Sequence, residues 1–380
     1  MPYYLYKIYA LLLFCAISLH IEAQDFYQSY KPDSGSFINK NIALHLENNN
    51  FIKNNEYFGD YTEGLTYIGS VFQPSLRWEI TDNLTLSTGW YFRYFYEKTD
   101  FNKSIPFIRL TYSINPHMQL TLGQLNTQLN HNHIEPLYDI DRYFSQNPEY
   151  GLQFMVKNNK LSSEFYLDWE KFILHGDAAQ EIINAGMVSS YLLTTYGSNN
   201  GLFAEFQATI KHKGGQGITI DAPMQTRSNI SPGFRYTHAM QNNIIQKITL
   251  AAYYIQAFEM SPNNRLSAKR GFAIYPYLSL QNKYINFISS YLYGDNYFSP
   301  LGSYLFQSFS EIHQDDRLIS KKRQIWASKL LFDYPITHGV LFGFKAETYY
   351  DLKAQHLDYS YGLNISLNLD VFKKHLNAQH

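Results

Sequence analysis

The residues best placed to do chemistry lie between 125 and 150. His131 and His133 have the spacing that puts two imidazoles on one face of an extended segment, and Glu135 continues the row. Imidazole nitrogens and carboxylate oxygens are zinc ligands, so His131 and His133 are candidate metal ligands. Either could also serve as a base beside an acid. No serine with a strand-matched histidine and acid accompanies them, so no catalytic residue is assigned, no cofactor is expected, and the chain reads as a non-enzyme. Asp139, Asp141, Arg142 and Glu149 follow, interleaved with Leu137, Tyr138, Tyr143 and Phe144, and 136–144 could form a helical turn or two. Gly214-Gly215-Gln216-Gly217 is no phosphate cradle, because no Lys-Ser/Thr follows and no helix starts there.

A second set of charges stands in the segments that must position this loop. Arg77, Arg93 and Arg109 sit on the polar faces of three consecutive strand-like segments, and Lys329 and Lys345 on those of a later pair. Glu164, Asp168 and Glu170 alternate with Phe165, Leu167 and Trp169. An arginine pointed at lipid near the midplane costs about 2–4 kcal/mol, so these charges should point into a lumen. The expectation is a polar passage with wall cations Arg77, Arg93 and Arg109 and loop acids Glu135, Asp139 and Asp141, across which a transverse field selects solutes. The alternative is internal salt bridging that fills a closed barrel.

The elements follow a rhythm of short and long gaps. Tight polar connections recur at 81–83, 115–117, 157–160, 241–243, 281–283 and 337–339. Two strand-like runs joined by a longer connection lie between successive turns, the layout of an outer-membrane β-barrel. The last run alternates without a fault: Leu357, Tyr359, Tyr361, Leu363, Ile365, Leu367, Leu369 and Val371 against Asp358, Ser360, Gly362, Asn364, Ser366, Asn368 and Asp370. Counting such runs predicts an all-β fold, a transmembrane antiparallel barrel of about 16 strands (14–18), with 183–195 the faintest. The long connections are 49–70, 97–104, 125–150, 172–182, 212–229, 259–270, 295–322 and 353–356.

Composition agrees with a barrel. Aromatics make up 17%, with 34 Tyr and 27 Phe, as suits interfacial girdles. Mean hydropathy is −0.33, too polar for a helical membrane protein, and a net charge of −1 gives no footprint for nucleic acid. Residues 1–23 read as a secretory signal, with Lys7, the apolar run 8–19 and a cut after Ala23. Cys15, the single cysteine, lies inside it, so the mature chain offers no disulfide or thiolate chemistry. The barrel should occupy 24–372 and a polar tail 373–380.

Short stretches give the chain a family likeness: Glu22-Ala23-Gln24, Asn54-Asn55-Glu56-Tyr57-Phe58, Leu122-Gly123-Gln124, Glu135-Pro136-Leu137-Tyr138-Asp139 and Tyr150-Gly151-Leu152-Gln153-Phe154. On these it resembles porin-like outer-membrane β-barrel proteins of the Bacteroidota, a group without an agreed activity. The acidic third loop beside wall arginines also resembles the inward-folded third loop of trimeric porins. The family resemblance implies a single barrel in the Gram-negative outer membrane, among lipid and lipopolysaccharide; about 16 strands around a polar lumen can leave an aqueous channel, so diffusion of small polar solutes is the expected function. Other outer-membrane proteins or further copies of the chain are candidate partners. The competing readings are a closed accessory subunit and a barrel enzyme acting on lipid or glycan.

Overall fold

The computed structural model describes residues 41–96, 103–126, 130–195, 200–215, 222–241, 244–262, 266–312 and 317–375, so the expected signal segment 1–23 lies outside the described residues. The sequence alternation becomes strands with one greasy face. In the order of the chain they are β1 Asn41–Glu56, β2 Thr66–Thr81, β3 Leu84–Phe95, β4 Lys103–Asn115, β5 Met118–Gln124, β6 Tyr150–Lys157, β7 Leu161–Lys171 and β8 Glu181–Thr195. Then come β9 Asn200–Gly214, β10 Gln225–Ala239, β11 Lys247–Glu259, β12 Arg270–Gln281, β13 Ile285–Asp295, β14 Lys322–Thr337, β15 Val340–Asp351 and β16 His356–His375. Each pairs antiparallel with its sequence neighbour, and β1 pairs with β16 from Asn41↔His375 to Glu56↔Tyr359, closing the barrel with no free edge.

Facing follows the alternation. On β16, Ile365 is 47% exposed where Ser360 is 2%, because odd positions meet hydrocarbon and even ones the interior. A closed 16-stranded barrel with outward Leu, Ile, Phe, Tyr and Trp is a multi-pass protein of the Gram-negative outer membrane. No helix among the described residues is long and apolar enough to cross a membrane.

Two features depart from the sequence expectations. The connection expected over 49–70 is shorter: β1 runs on to Glu56 and β2 begins at Thr66. Asparagines at outward positions hide the alternation there. The interior is also not polar throughout. Near the end of the barrel with the long connections, Phe51, Val71 and Tyr91 point inward and pack on Ile140 and Phe144. Across the barrel, Tyr253, Ile255, Tyr275 and Ile325 pack on Ile134, Leu137, Tyr297, Phe298, Phe306 and Phe309. The first set receives the connection between β5 and β6, and the second set receives both that connection and the one between β13 and β14; the described residues of both fold into the lumen instead of lying over its mouth. β16 ends at His375, within the range expected as tail.

Candidate functional site

Gly123 starts the inward turn of the first connection. Its φ is +99°, and a Cβ there would meet the Ile108 carbonyl oxygen at 2.1 Å, so only glycine fits at the end of β5. The chain then crosses the lumen, makes one helical turn, α1 Arg142–Ser145, and returns to β6. The second connection locks it in place. Asp139 N–H donates to the Leu301 carbonyl (2.7 Å) and the Tyr297 hydroxyl to the Pro136 carbonyl (2.6 Å). Gly302 is so close that a Cβ would stand 1.9 Å from the Pro136 oxygen.

His131 is the electrostatic anchor of this loop. It is fully buried, pairs with Glu149 through Nε2 and with Glu164 through Nδ1 (2.5 Å), and stacks on Tyr166 at 3.6 Å between centroids. Burial alone would lower its pKa, but the fields of Glu149 and Glu164 and their hydrogen bonds outweigh it and hold the imidazolium up at about 10. Burial would raise the Glu149 carboxyl, yet His131 brings it below the usual range. His133 is the opposite case. Burial, with His131⁺ beside it, pushes it down to about 3, so it stays neutral between the Gln207 side chain and the Tyr166 hydroxyl. The two histidines therefore serve different partners. Among the described residues, no group of three or more His, Cys, Asp or Glu side chains is placed to hold a metal ion.

The other sequence-selected residues are all inside the barrel: Arg77 lines the cavity beneath the loop, and the rest form three groups. Glu135 meets Lys329 at 2.5 Å and accepts from the Tyr349 hydroxyl at 2.6 Å; Asp141 pairs with Lys53 and accepts from Asn55 at 2.7 Å. Lys345 and Lys329 both reach Glu347, at 2.9 and 3.0 Å. Asp139 belongs with them: burial and then the adjacent Asp141 raise its pKa. Arg93 instead donates to the Gln146 carbonyl (2.5 Å). Arg109 donates to the Gln124 and Leu125 carbonyls (2.9 and 3.0 Å) and to Gln124 Oε1 (3.1 Å). The loop acids thus meet lysines of β1 and β14, while Arg93 and Arg109 hold the loop by its backbone. Lys53 and Glu347 were missed by the sequence reading; Lys53 fell in the stretch taken for a loop. The third group is Arg142, which reaches Glu170 at 2.9 Å, beside Lys211 and Asp168.

Below the loop lies a cavity of about 870 Å³. It reaches the short turns through Thr81, Asp82 and Asn159, and its ceiling includes Tyr138, Arg142 and Glu149. Arg77 and Arg109 line one wall and Glu164, Asp168 and Glu170 another. This is a charged vestibule facing the periplasm, with both folded-in connections between it and the outside.

The membrane-facing surface carries a second arrangement. Outward positions of β1 hold Asn48, Asn50, Asn54 and Glu56, where neighbouring outward positions of β16 hold Leu367, Ile365 and Tyr361. Asn48 Nδ2 donates to Ser70 Oγ (3.0 Å) and to the Val71 carbonyl (2.9 Å), and Asn50 Nδ2 donates to Asn48 Oδ1 (2.5 Å). The Tyr96 hydroxyl donates to Asn50 Oδ1 (3.2 Å). Further out, Asn54 Nδ2 donates to Glu56 Oε1 (2.6 Å) and Tyr361 Oη (3.1 Å), and Thr66 Oγ1 to Asn54 Oδ1 (2.5 Å). Polar side chains directed at lipid are costly, and these two hydrogen-bonded clusters, parted by the outward Ile52, mark places where polar chemistry meets the bilayer. Nothing in the sequence reading singled them out, because outward asparagines read as loop.

Comparison with known proteins bears on both arrangements. The family described as Lipid A 3'-O-deacylase-type matches residues 30–376. This overturns the expectation of a non-enzyme: the family's description is that of a hydrolase, and a barrel-wall site needs no Ser-His-acid triad in the sequence to exist. A search of curated proteins returns no match. Among solved structures, the outer membrane protein OprD from Pseudomonas aeruginosa is similar with a TM-score of 0.51 and 12% identity, over 87% of this chain and 94% of that one. OpdL, also from Pseudomonas aeruginosa, is similar with a TM-score of 0.50 and 12% identity, over 87% and 99%. At such identities the likeness is one of fold.

Proposed function

Since the chain belongs to the Lipid A 3'-O-deacylase-type family, we propose that it hydrolyses an ester-linked acyl chain of lipid A from the membrane-facing side of its wall. The observation that carries this reading is the polar cluster of Asn48, Asn50 and Ser70 on β1 and β2. A lipid ester approaching from the bilayer would meet the amides of Asn48 and Asn50; Asn48 donates to Ser70 and Val71, whereas Asn50 Nδ2 gives one N–H to Asn48 Oδ1 and has a second able to stabilise charge developing on the ester carbonyl oxygen. Ser70 supplies a hydroxyl next to them. Water adds to the acyl carbon, the ester C–O bond breaks, and a fatty acid and a sugar hydroxyl leave.

The test is mass spectrometry of lipid A from cells expressing the protein. Loss of one ester-linked chain is expected with the wild type. Asn48→Leu with Asn50→Leu should keep the barrel folded, since leucine suits the lipid face, but abolish the loss. Unaltered lipid A with a folded wild-type barrel, or full turnover by the double variant, would refute the reading.

A second reading, diffusion of small polar solutes, is favoured by the vestibule, with Arg77, Arg109 and Asp168 on its walls. It requires the two folded-in connections to open, and planar-bilayer conductance tests it.

A further inference from the structure

The vestibule holds a charge pattern that deacylation does not use. Arg109 and Asp168 lie on one hydrogen-bonded row of the wall, because Arg109 pairs with Gly123, Gly123 with Gly151, and Gly151 with Asp168. Three strand spacings put their Cα atoms about 14 Å apart along the wall. Both side chains line the cavity. The Arg109 guanidinium donates only to neutral acceptors, Gln124 Oε1 and the carbonyls of Gln124 and Leu125. The Asp168 carboxylate accepts only from neutral donors, the Tyr150 N–H (3.0 Å) and Asn184 Nδ2 (3.0 Å). Other charges close by have charged partners: Glu149 and Glu164 share His131, and Glu170 takes Arg142 and Lys211. Glu47 and Arg77 face Arg109 from β1 and β2, and Arg109 makes an ion pair with neither side chain. An arginine and an aspartate, each hydrogen-bonded to neutral groups and in direct ion pair with none, thus stand about 14 Å apart on the wall of one cavity.

We propose that this vestibule binds a small zwitterion, with its carboxylate at Arg109 and its ammonium at Asp168. A molecule of dipeptide size fits within about 870 Å³ and lies within the usual range of small-molecule sites. A bidentate guanidinium–carboxylate contact supplies orientation, and the carboxylate at the far end rejects molecules carrying the anion alone. The site opens to the periplasm, so binding requires no passage through the barrel and no lipid turnover.

The purified barrel, held in detergent, would be titrated calorimetrically with glycylglycine, acetate and methylamine. Glycylglycine should bind at least tenfold more tightly than either singly charged probe. Arg109→Gln and Asp168→Asn should each weaken it at least tenfold, and Arg109→Lys should restore part of the loss. Absence of glycylglycine binding, equal affinity for acetate or methylamine, or unchanged affinity in both variants would overturn the proposal. The three wild-type titrations decide it even if a variant fails to fold.

Discussion

His131 offers the sharpest test of how the lumen is closed. In His131→Gln the imidazolium between Glu149 and Glu164 is gone, and two buried carboxylates remain side by side. Removing one partner from a buried ion pair costs about 3–5 kcal/mol. The Tyr138 hydroxyl still donates to Glu149 (2.5 Å) and Gln153 Nε2 to Glu164 (2.7 Å), so the lower end applies. A loss of about 3 kcal/mol is roughly two powers of ten in the equilibrium between docked and released loop. The strand ladders do not depend on His131, so the barrel should stay closed while the loop opens more often. Hydrogen exchange reads this directly: the Leu137 and Tyr138 amides, both bonded to the Ile134 carbonyl, should exchange about a hundredfold faster, with strand amides unaffected. The pH dependence has a fixed sign. The His131 pKa is raised from 6.5 to about 10 on folding, so its contribution is fully present below 6.5 and fades as pH rises through 10. Wild-type loop protection should therefore fall between these values, and the variant should lack that step. Identical protection in both proteins, or a wild-type loop indifferent to pH up to 11, would refute the anchor.

Two further outcomes follow from packing. Gly302→Val places a side chain against the Pro136 carbonyl, so it should part the two folded-in connections; planar-bilayer recordings should show steady conductance in the variant and little in the wild type, and a silent variant would count against the plug. Ile365→Arg points a charge at lipid and should lower barrel stability by about 2–4 kcal/mol, measured as a shift in the urea midpoint, whereas Ser366→Arg, on the opposite face of the same strand, should cost less.

How much was legible before folding differs between wall and interior. Residues 357–371 announce their strand because each position has one fixed environment, hydrocarbon or lumen, and a period of two records it. The same logic pointed Arg77, Arg93, Arg109, Lys329 and Lys345 inward, where the structure places them. It failed at 48–56, where lipid-facing asparagines contradict the rule that defines the wall; over 250–255 of β11 both faces are apolar, because the inner face is covered by a loop rather than water. A strand with both faces buried loses its alternation.

The antiparallel barrel and, outside 48–56, its membrane facing were therefore determined by the sequence, since they depend on each residue's preference for lipid or water, a local property; the structure fixed the strand number at 16. The pairing of charges was decided by tertiary structure alone. Nothing in the spacing of Glu135, Asp141 and His131 says that they meet Lys329, Lys53 and two glutamates. Those partners lie on strands brought across the lumen by ring closure, and a Coulomb interaction depends on distance in space, which the order of residues along the chain does not encode.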